Sequence, residues 1–163
     1  METPNLDLTA NFEEDENSIE GLFLTFTLKN QVYGIEIQYV REIVDIQKIT
    51  RVPGVADYIK GLINLRGQVI PVLDVRLRFG VESRKYDSRT CIIVVEVDET
   101  MVGLIVDRVA DVLIISEDKI QIPPSAGLTV SERFIKGLGK VGKDVKFLLD
   151  IEKLIVDVEG AMA

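Results

Sequence analysis

FIKGLGKVGKDVKFLLDIEK (residues 134–153) carries two nucleotide-binding patterns at once. Gly137, Gly139 and Gly142 satisfy G-x-G-x-x-G, and Gly137 to Lys143 satisfy G-x-x-x-x-G-K, the opening of a P-loop. A P-loop needs a helix after it, to aim backbone N–H groups at phosphate, and a Ser or Thr for magnesium. Asp144 stands in the Ser/Thr position and would set a negative charge against the phosphates. VKFLLDI, which follows, reads as a strand. A second stretch, YIKGLINLRGQVIPVLDVRL (58–77), aligns with the first at an offset of 76, with seven of twenty positions identical. GLGKVGKDV is therefore the counterpart of GLINLRGQV, a strand, a turn and a strand, and no nucleotide site is expected.

The repeat extends upstream. VYGIEIQYVREIV (32–44) matches MVGLIVDRVADVL (101–113) at an offset of 69, with Gly34 on Gly103 and Val40 on Val109. Two homologous all-β units in tandem are the economical reading. Short strands are predicted at 22–28, 32–37, 40–46, 58–65, 68–74, 91–97, 101–107 and 109–115, broken by Lys29-Asn30, Pro53-Gly54, Arg66-Gly67 and Asp98-Glu99. VRLRFG (75–80) fits a helical turn or two, and Glu117-Asp118 starts another short helical turn. In DIEKLIVDVEGAM (150–162), Ile151, Leu154, Ile155 and Val158 recur at helical spacing, which predicts a helix packed back on the strands. Many short strands at close spacing indicate small barrels or a sandwich.

Composition closes most enzyme chemistry. The chain of 163 residues contains no histidine and one cysteine, Cys91. Serine–histidine and cysteine–histidine catalysis, imidazole metal sites and the usual zinc ligand sets are all absent, and no intramolecular disulfide can form. Cys91 lies in the apolar run CIIVVEV, where an ordinary buried thiol is expected. The net charge is −8, but residues 1 to 20 hold seven acids and no Lys or Arg, so the remainder is nearly neutral. The acidic stretch reads as a solvated, mobile extension. Neither nucleic acid nor an anionic membrane surface suits such a body as main partner. No apolar run is long enough to span a membrane. A soluble cytoplasmic protein is the expectation.

The residues already quoted carry a family resemblance. VYGIEIQYVREIV, Pro53 and YIKGLINLRGQVIPVLDVRLRFG closely resemble the CheW family of bacterial chemotaxis coupling proteins, and the second unit continues the match over roughly residues 20 to 157. The IKG-x-x-NLRG-x-x-x-P-x-x-D signature is specific. What the resemblance implies is an all-β fold of two tandem SH3-like five-stranded barrels around a shared core, with short helices and a C-terminal helix. The corresponding division is a tail (1–20) and one domain (21–157) with subdomains near 21–86 and 87–149. It further implies a non-enzymatic adaptor, without cofactor or metal, that joins the histidine kinase CheA, through its CheW-like regulatory domain, to the cytoplasmic tips of methyl-accepting chemoreceptors in membrane-associated arrays. Length favours the stand-alone adaptor over the regulatory end of CheA or the front of a CheV protein.

By the same resemblance, Glu42 in VREIV and Arg66 in NLRG form a surface pair at the partner-binding face, beside Asn64. Val40 and Ile43 would flank the pair as apolar contacts, and Gly61 would keep the backbone accessible or tightly packed. Asp111 and Gly142 replace Glu42 and Arg66 in the second unit, so the barrel itself does not require the pair. The rival reading is a small-ligand-binding or enzymatic barrel using Glu42, Asp74 or Asp150 as acid/base groups. Against it, both aspartates occupy one repeat position directly before an expected helix start, where capping accounts for them. Lys60 and Lys136 also share one repeat position, which favours a structural or surface role.

Overall fold

The structure, a computed structural model, describes residues 19–123, 131–156 and 158. The acidic stretch thus lies almost wholly outside the described residues, as do Pro124 and the end of the C-terminal segment. Strands β1 (Leu22–Leu28), β2 (Gln31–Glu36), β3 (Val40–Asp45), β4 (Ile59–Leu65) and β5 (Gln68–Asp74) lead into the single-turn helix α1 (Val75–Arg78). Strands β6 (Cys91–Val97), β7 (Thr100–Val106), β8 (Arg108–Ile114), β9 (Ile120–Gln121), β10 (Ile135–Val141) and β11 (Asp144–Leu149) then lead into α2 (Ile151–Ile155). Lys29-Asn30, Arg66-Gly67 and Asp98-Glu99 each have positive φ at both residues. These two-residue turns match the right-handed twist of the strands they join.

The strands form two sheets, ordered β8-β1-β2-β11-β10-β9 and β3-β6-β7-β5-β4. Replacing each of the first five strands by its sequence counterpart turns the first order into the second. The repeat in sequence is therefore a repeat in pairing, but the halves exchange strands. β1 and β2 sit with β8, β10 and β11, whereas β6 and β7 sit with β3, β4 and β5. The division expected near residues 86 and 87 marks the sequence repeat and does not separate the sheets. A 3-10 turn at Ile37–Tyr39 carries the chain from one sheet to the other. Parallel pairs close the exchange, Phe147 with Tyr33 and Leu148 with Gly34 in one sheet, Val72 with Gly103 and Leu73 with Leu104 in the other.

Three buried clusters result. Ile63, Ile70, Val72, Ile92, Val94 and Ile105 fill one barrel; Phe23, Ile115 and Leu148 fill the other. Between them lies a shared core containing Leu24, Phe26, Ile35, Ile93, Val95, Leu104 and Leu154. Period two now explains why CIIVVEV is continuously apolar. Ile92 and Val94 face their own barrel while Ile93 and Val95 face the shared core, so both sides of β6 are buried. Ile151, Leu154, Ile155 and Val158 are all buried in the shared core, as their spacing predicts. Cys91 departs from expectation: at the start of β6 it is only half-buried, its Sγ 3.4 Å from the Arg89 carbonyl oxygen.

The aspartates of the rival reading are caps. The Asp74 carboxylate accepts the Leu77 N–H at 3.4 Å and the Tyr86 hydroxyl at 2.8 Å, and Asp150 accepts the Lys153 N–H at 3.0 Å. GLGKVGKDV is an antiparallel hairpin, with Val141 opposite Asp144 across Gly142-Lys143 and no helix following the glycines.

Arg78 locks the two halves together. It is 8% exposed, with its guanidinium 4.4 Å from the Tyr58 ring centroid and 4.7 Å from that of Phe134. Tyr58 and Phe134 are repeat counterparts, so the cation stacks across the pseudo-symmetric joint. Nε also donates to the Leu154 carbonyl oxygen at 3.1 Å. Arg78→Ala removes two desolvated cation–π contacts and leaves a buried carbonyl short of its donor. A loss of ~3 kcal/mol is expected by urea unfolding. Arg78→Lys should recover only part of it, because an ammonium cannot stack flat between two rings.

Candidate functional site

β3 meets β6 through a bulge: Val40 pairs with Val95, but Glu42 pairs with Val94. The extra residue, Arg41, turns outward, and its guanidinium donates to both oxygens of Glu96 at 2.9 and 3.0 Å. Beyond the bulge, Glu42 and Val44 share a strand face. Val44 packs against the interior of its barrel, which puts Glu42 at the barrel mouth. Opposite stands the turn between β4 and β5, where Arg66 takes φ +52°. Asn64 sets that turn, its Oδ1 accepting the Gly67 N–H at 2.9 Å. Arg66 Nη2 donates to Glu42 Oε2.

β3 and β4 are the two ends of their sheet order. The ion pair therefore spans the seam at which the barrel closes. The Arg66 side chain remains 70% exposed and that of Glu42 28%. The hydrogen bond that the guanidinium donates to Glu42, and then the carboxylate's charge, raise the guanidinium pKa above its already high value. Arg66 is a permanent cation, held in place yet open to a partner.

The expected site residues divide by depth. Glu42, Asn64 and Arg66 meet at the mouth, and Ile43 is half-buried against the shared core. Val40 and Gly61 do not present contact surface. Val40 is 9% exposed and belongs to the shared core, because the bulge directs it inward. Gly61 is buried under the segment that precedes β4, where Thr50 and Leu62 exchange two backbone hydrogen bonds of 2.8 Å. Both support the face from beneath. In the other barrel the equivalent positions are an exposed Asp111 and the turn residue Gly142, and no such pair forms.

Two surface features escaped the sequence reading. An open groove of about 780 Å³ runs beside β4, lined by Ile49, Val52, Pro53, Val55, Lys60 and Leu77. Its signal was present in RVPGV, a loop with apolar residues left without strand partners. The second feature is a cluster of basic side chains around Lys29, with Arg84, Arg89 and Arg108. Lys136, by contrast, behaves as expected of a surface group. It pairs with Glu36, and partial burial lowers its pKa against the nearby charges of Asp150 and Glu152. Among the described residues there is no group of His, Cys, Asp and Glu able to hold a metal ion, and no helix long and apolar enough to cross a membrane.

A family model described as the CheW-like domain matches residues 22–159, most of the chain. The chain belongs to the CheW family. Among its CheW relatives, the chemotaxis protein of Klebsiella aerogenes is 39% identical over 140 residues, 86% of this chain and 84% of that protein. That of Treponema pallidum is 31% identical over 147 residues, 88% and 86% of the two chains. The crystal structure of a CheW scaffolding protein from Thermoanaerobacter tengcongensis superimposes with a TM-score of 0.77 at 34% identity, covering 83% of this chain and 92% of the other. The two-barrel fold expected from the sequence is thus that of the CheW family. The names these relatives carry belong to chemotaxis and scaffolding, not to enzymes.

Proposed function

We propose that this chain is a non-enzymatic adaptor that couples the histidine kinase CheA to the cytoplasmic tips of chemoreceptors. The observation that carries the reading is the Glu42–Arg66 pair across the seam of one barrel only. An exposed pair contributes little to folding, and the other barrel closes without one. A charged, pre-positioned arginine at a barrel mouth suits partner recognition, since arginine is enriched among interface hot spots. Ile43, half-buried on the opposite face of β3, would add apolar area outside the mouth. The adjacent groove can take a helix by its i, i+3, i+4 stripe, the form a helical receptor tip would offer. The CheW-like regulatory domain of the kinase would dock on a second face, and the adaptor would sit in the cytoplasm at receptor arrays. Signal passes as a population shift if the adaptor contacts the kinase-on and kinase-off arrangements differently.

Reconstitution tests this. With receptor-bearing membranes and kinase, the purified chain is expected to sediment with both and to make kinase activity respond to receptor ligand. Sedimentation with neither, or unchanged kinase activity, would refute the adaptor reading. The small-ligand alternative predicts instead a saturable thermal shift with nucleotides or metabolites.

A further inference from the structure

Thr27, Lys29, Asn30, Arg84 and Arg89 meet in a polar pocket of about 270 Å³ that the adaptor reading leaves unused. Asp87, Asp107 and Arg108 complete its wall. The topology assembles it. Lys29 and Asn30 are the β1–β2 turn, and Arg84 and Arg89 come from the loop between α1 and β6. The two acids fix this frame. Asp107 accepts from the Arg76 guanidinium at 2.8 and 2.6 Å and from the Lys29 backbone N–H at 3.2 Å. Asp87 accepts from the Arg84 guanidinium at 2.9 Å and from the Arg89 backbone N–H at 2.8 Å. The acids thus hold the main chain of Lys29 and Arg89 and leave both cations out.

Among the described residues, the side chains of Thr27, Lys29, Asn30 and Arg89 make no hydrogen bond or ion pair. In charge, Lys29, Arg76, Arg84 and Arg89 stand against Asp87 and Asp107, a surplus of two positive charges. Arg108, which already has a partner, is not needed for that surplus. Cations without partners that converge on one pocket suit a polyvalent oxyanion. Lysine supplies a compact charge and arginine a planar fork that can take two oxygens at once. The Thr27 hydroxyl and the Asn30 amide add neutral donors. No aliphatic or aromatic side chain lines the pocket, so nothing there would hold a nucleotide base or a carbon skeleton.

We propose that this pocket binds a free inorganic phosphate or pyrophosphate anion, with Lys29 and Arg89 as its charged ligands and Thr27 and Asn30 as neutral ones. The bound anion bridges the β1–β2 turn of one sheet to the loop that enters β6 in the other. β5 and β7 run parallel, so Asp107, just past β7, lies at the end of the barrel away from the Arg66 turn. An occupied pocket therefore leaves the Glu42–Arg66 seam open, and the two readings can fail separately.

The test is a titration of the full chain with sodium phosphate and sodium pyrophosphate, read from backbone amide spectra, with NaCl at matched ionic strength as the control. Amides of Thr27, Lys29, Asn30, Arg84 and Arg89 should shift saturably with pyrophosphate and not with chloride. Lys29→Gln with Arg89→Gln should weaken pyrophosphate binding at least about tenfold, since charge-assisted hydrogen bonds are the strong ones. Both side chains are exposed, and Lys29 already stands at φ +44°, where glutamine is no worse, so the double variant should keep the wild-type spectrum elsewhere. Each single variant should show a smaller loss, which tests the site even if the double variant does not fold. Any thermal shift that the small-ligand alternative predicts at another site would survive the double variant. Glycerol 3-phosphate should bind more weakly than pyrophosphate, and tighter binding of the ester would overturn the assignment to a free inorganic anion. Shifts that do not saturate, that chloride reproduces, that centre elsewhere or that persist in the variants would overturn the site itself.

Discussion

Arg66→Ala is expected to melt with wild type yet to bind kinase or receptor about thirtyfold more weakly, the loss that truncating an interface hot spot brings. The folding half of this result follows from position. The side chain is 70% exposed, and exposed ion pairs contribute little to stability. A positive φ of 52° at Arg66 is no better for alanine, so the turn neither gains nor loses much. The binding half follows from what is left behind, a Glu42 carboxylate at a barrel mouth without its cation. Calorimetry of the variant with each partner measures the loss, and receptor control of the kinase should fall with it. The exchanged double variant, Glu42→Arg with Arg66→Glu, separates two roles. Full recovery would mean that only the mutual pair matters; weak binding, the expected outcome, means that each residue meets a partner directly. Wild-type coupling by Arg66→Ala would remove the site assignment and leave the fold intact.

Gly61→Ala should give the largest loss of stability. Gly61 has φ +142°, and a Cβ there would stand 2.1 Å from the Thr50 carbonyl oxygen. The obstacle is backbone already committed to Leu62, so it cannot rotate away. Backbone strain and overpacking together predict a cost of ~3–5 kcal/mol, or ~6–20 °C in Tm for a chain of this size. Segment 46–57 would lift from β4, and partner binding would weaken with it. Gly137, at the same repeat position, supplies the control. A Cβ there meets a methyl of Ile120 at 2.8 Å, and φ is not positive. Gly137→Ala should therefore cost clearly less, as thermal melts of the two variants would show. Equal losses would mean that the Thr50–Leu62 bridge does not bear on stability.

Much of this was legible in the residues. Turn pairs such as Lys29-Asn30 and Asp98-Glu99 announce themselves through Asn30 and Asp98, which tolerate positive φ; β1 falls where alternation sets it, and β5 and β6 where the flanking turns bound an apolar run. Asp74 and Asp150 read as caps from their place before a helical turn, and both are. Glu42 and Arg66 could be paired through the family motif alone; nothing local in VREIV or NLRG states that the two segments meet.

Depth was harder to read. Val40 looks like a neighbour of Glu42 in sequence, yet one bulge residue sends it inward. The basic pocket joins side chains from residues 27 to 108, and no window of sequence contains it.

What the sequence determined by itself is the set of strands apart from the two-residue β9, the two-fold repeat and the absence of histidine chemistry, because alternation, turn propensity and side-chain inventory are local properties. Which strand lies beside which was decided only by the tertiary structure. A repeat predicts two similar units but is equally satisfied whether each keeps its own strands or lends two to the other. Here β1 and β2 cross to one sheet and β6 and β7 to the other, since that arrangement buries both faces of the apolar strands in three cores at once.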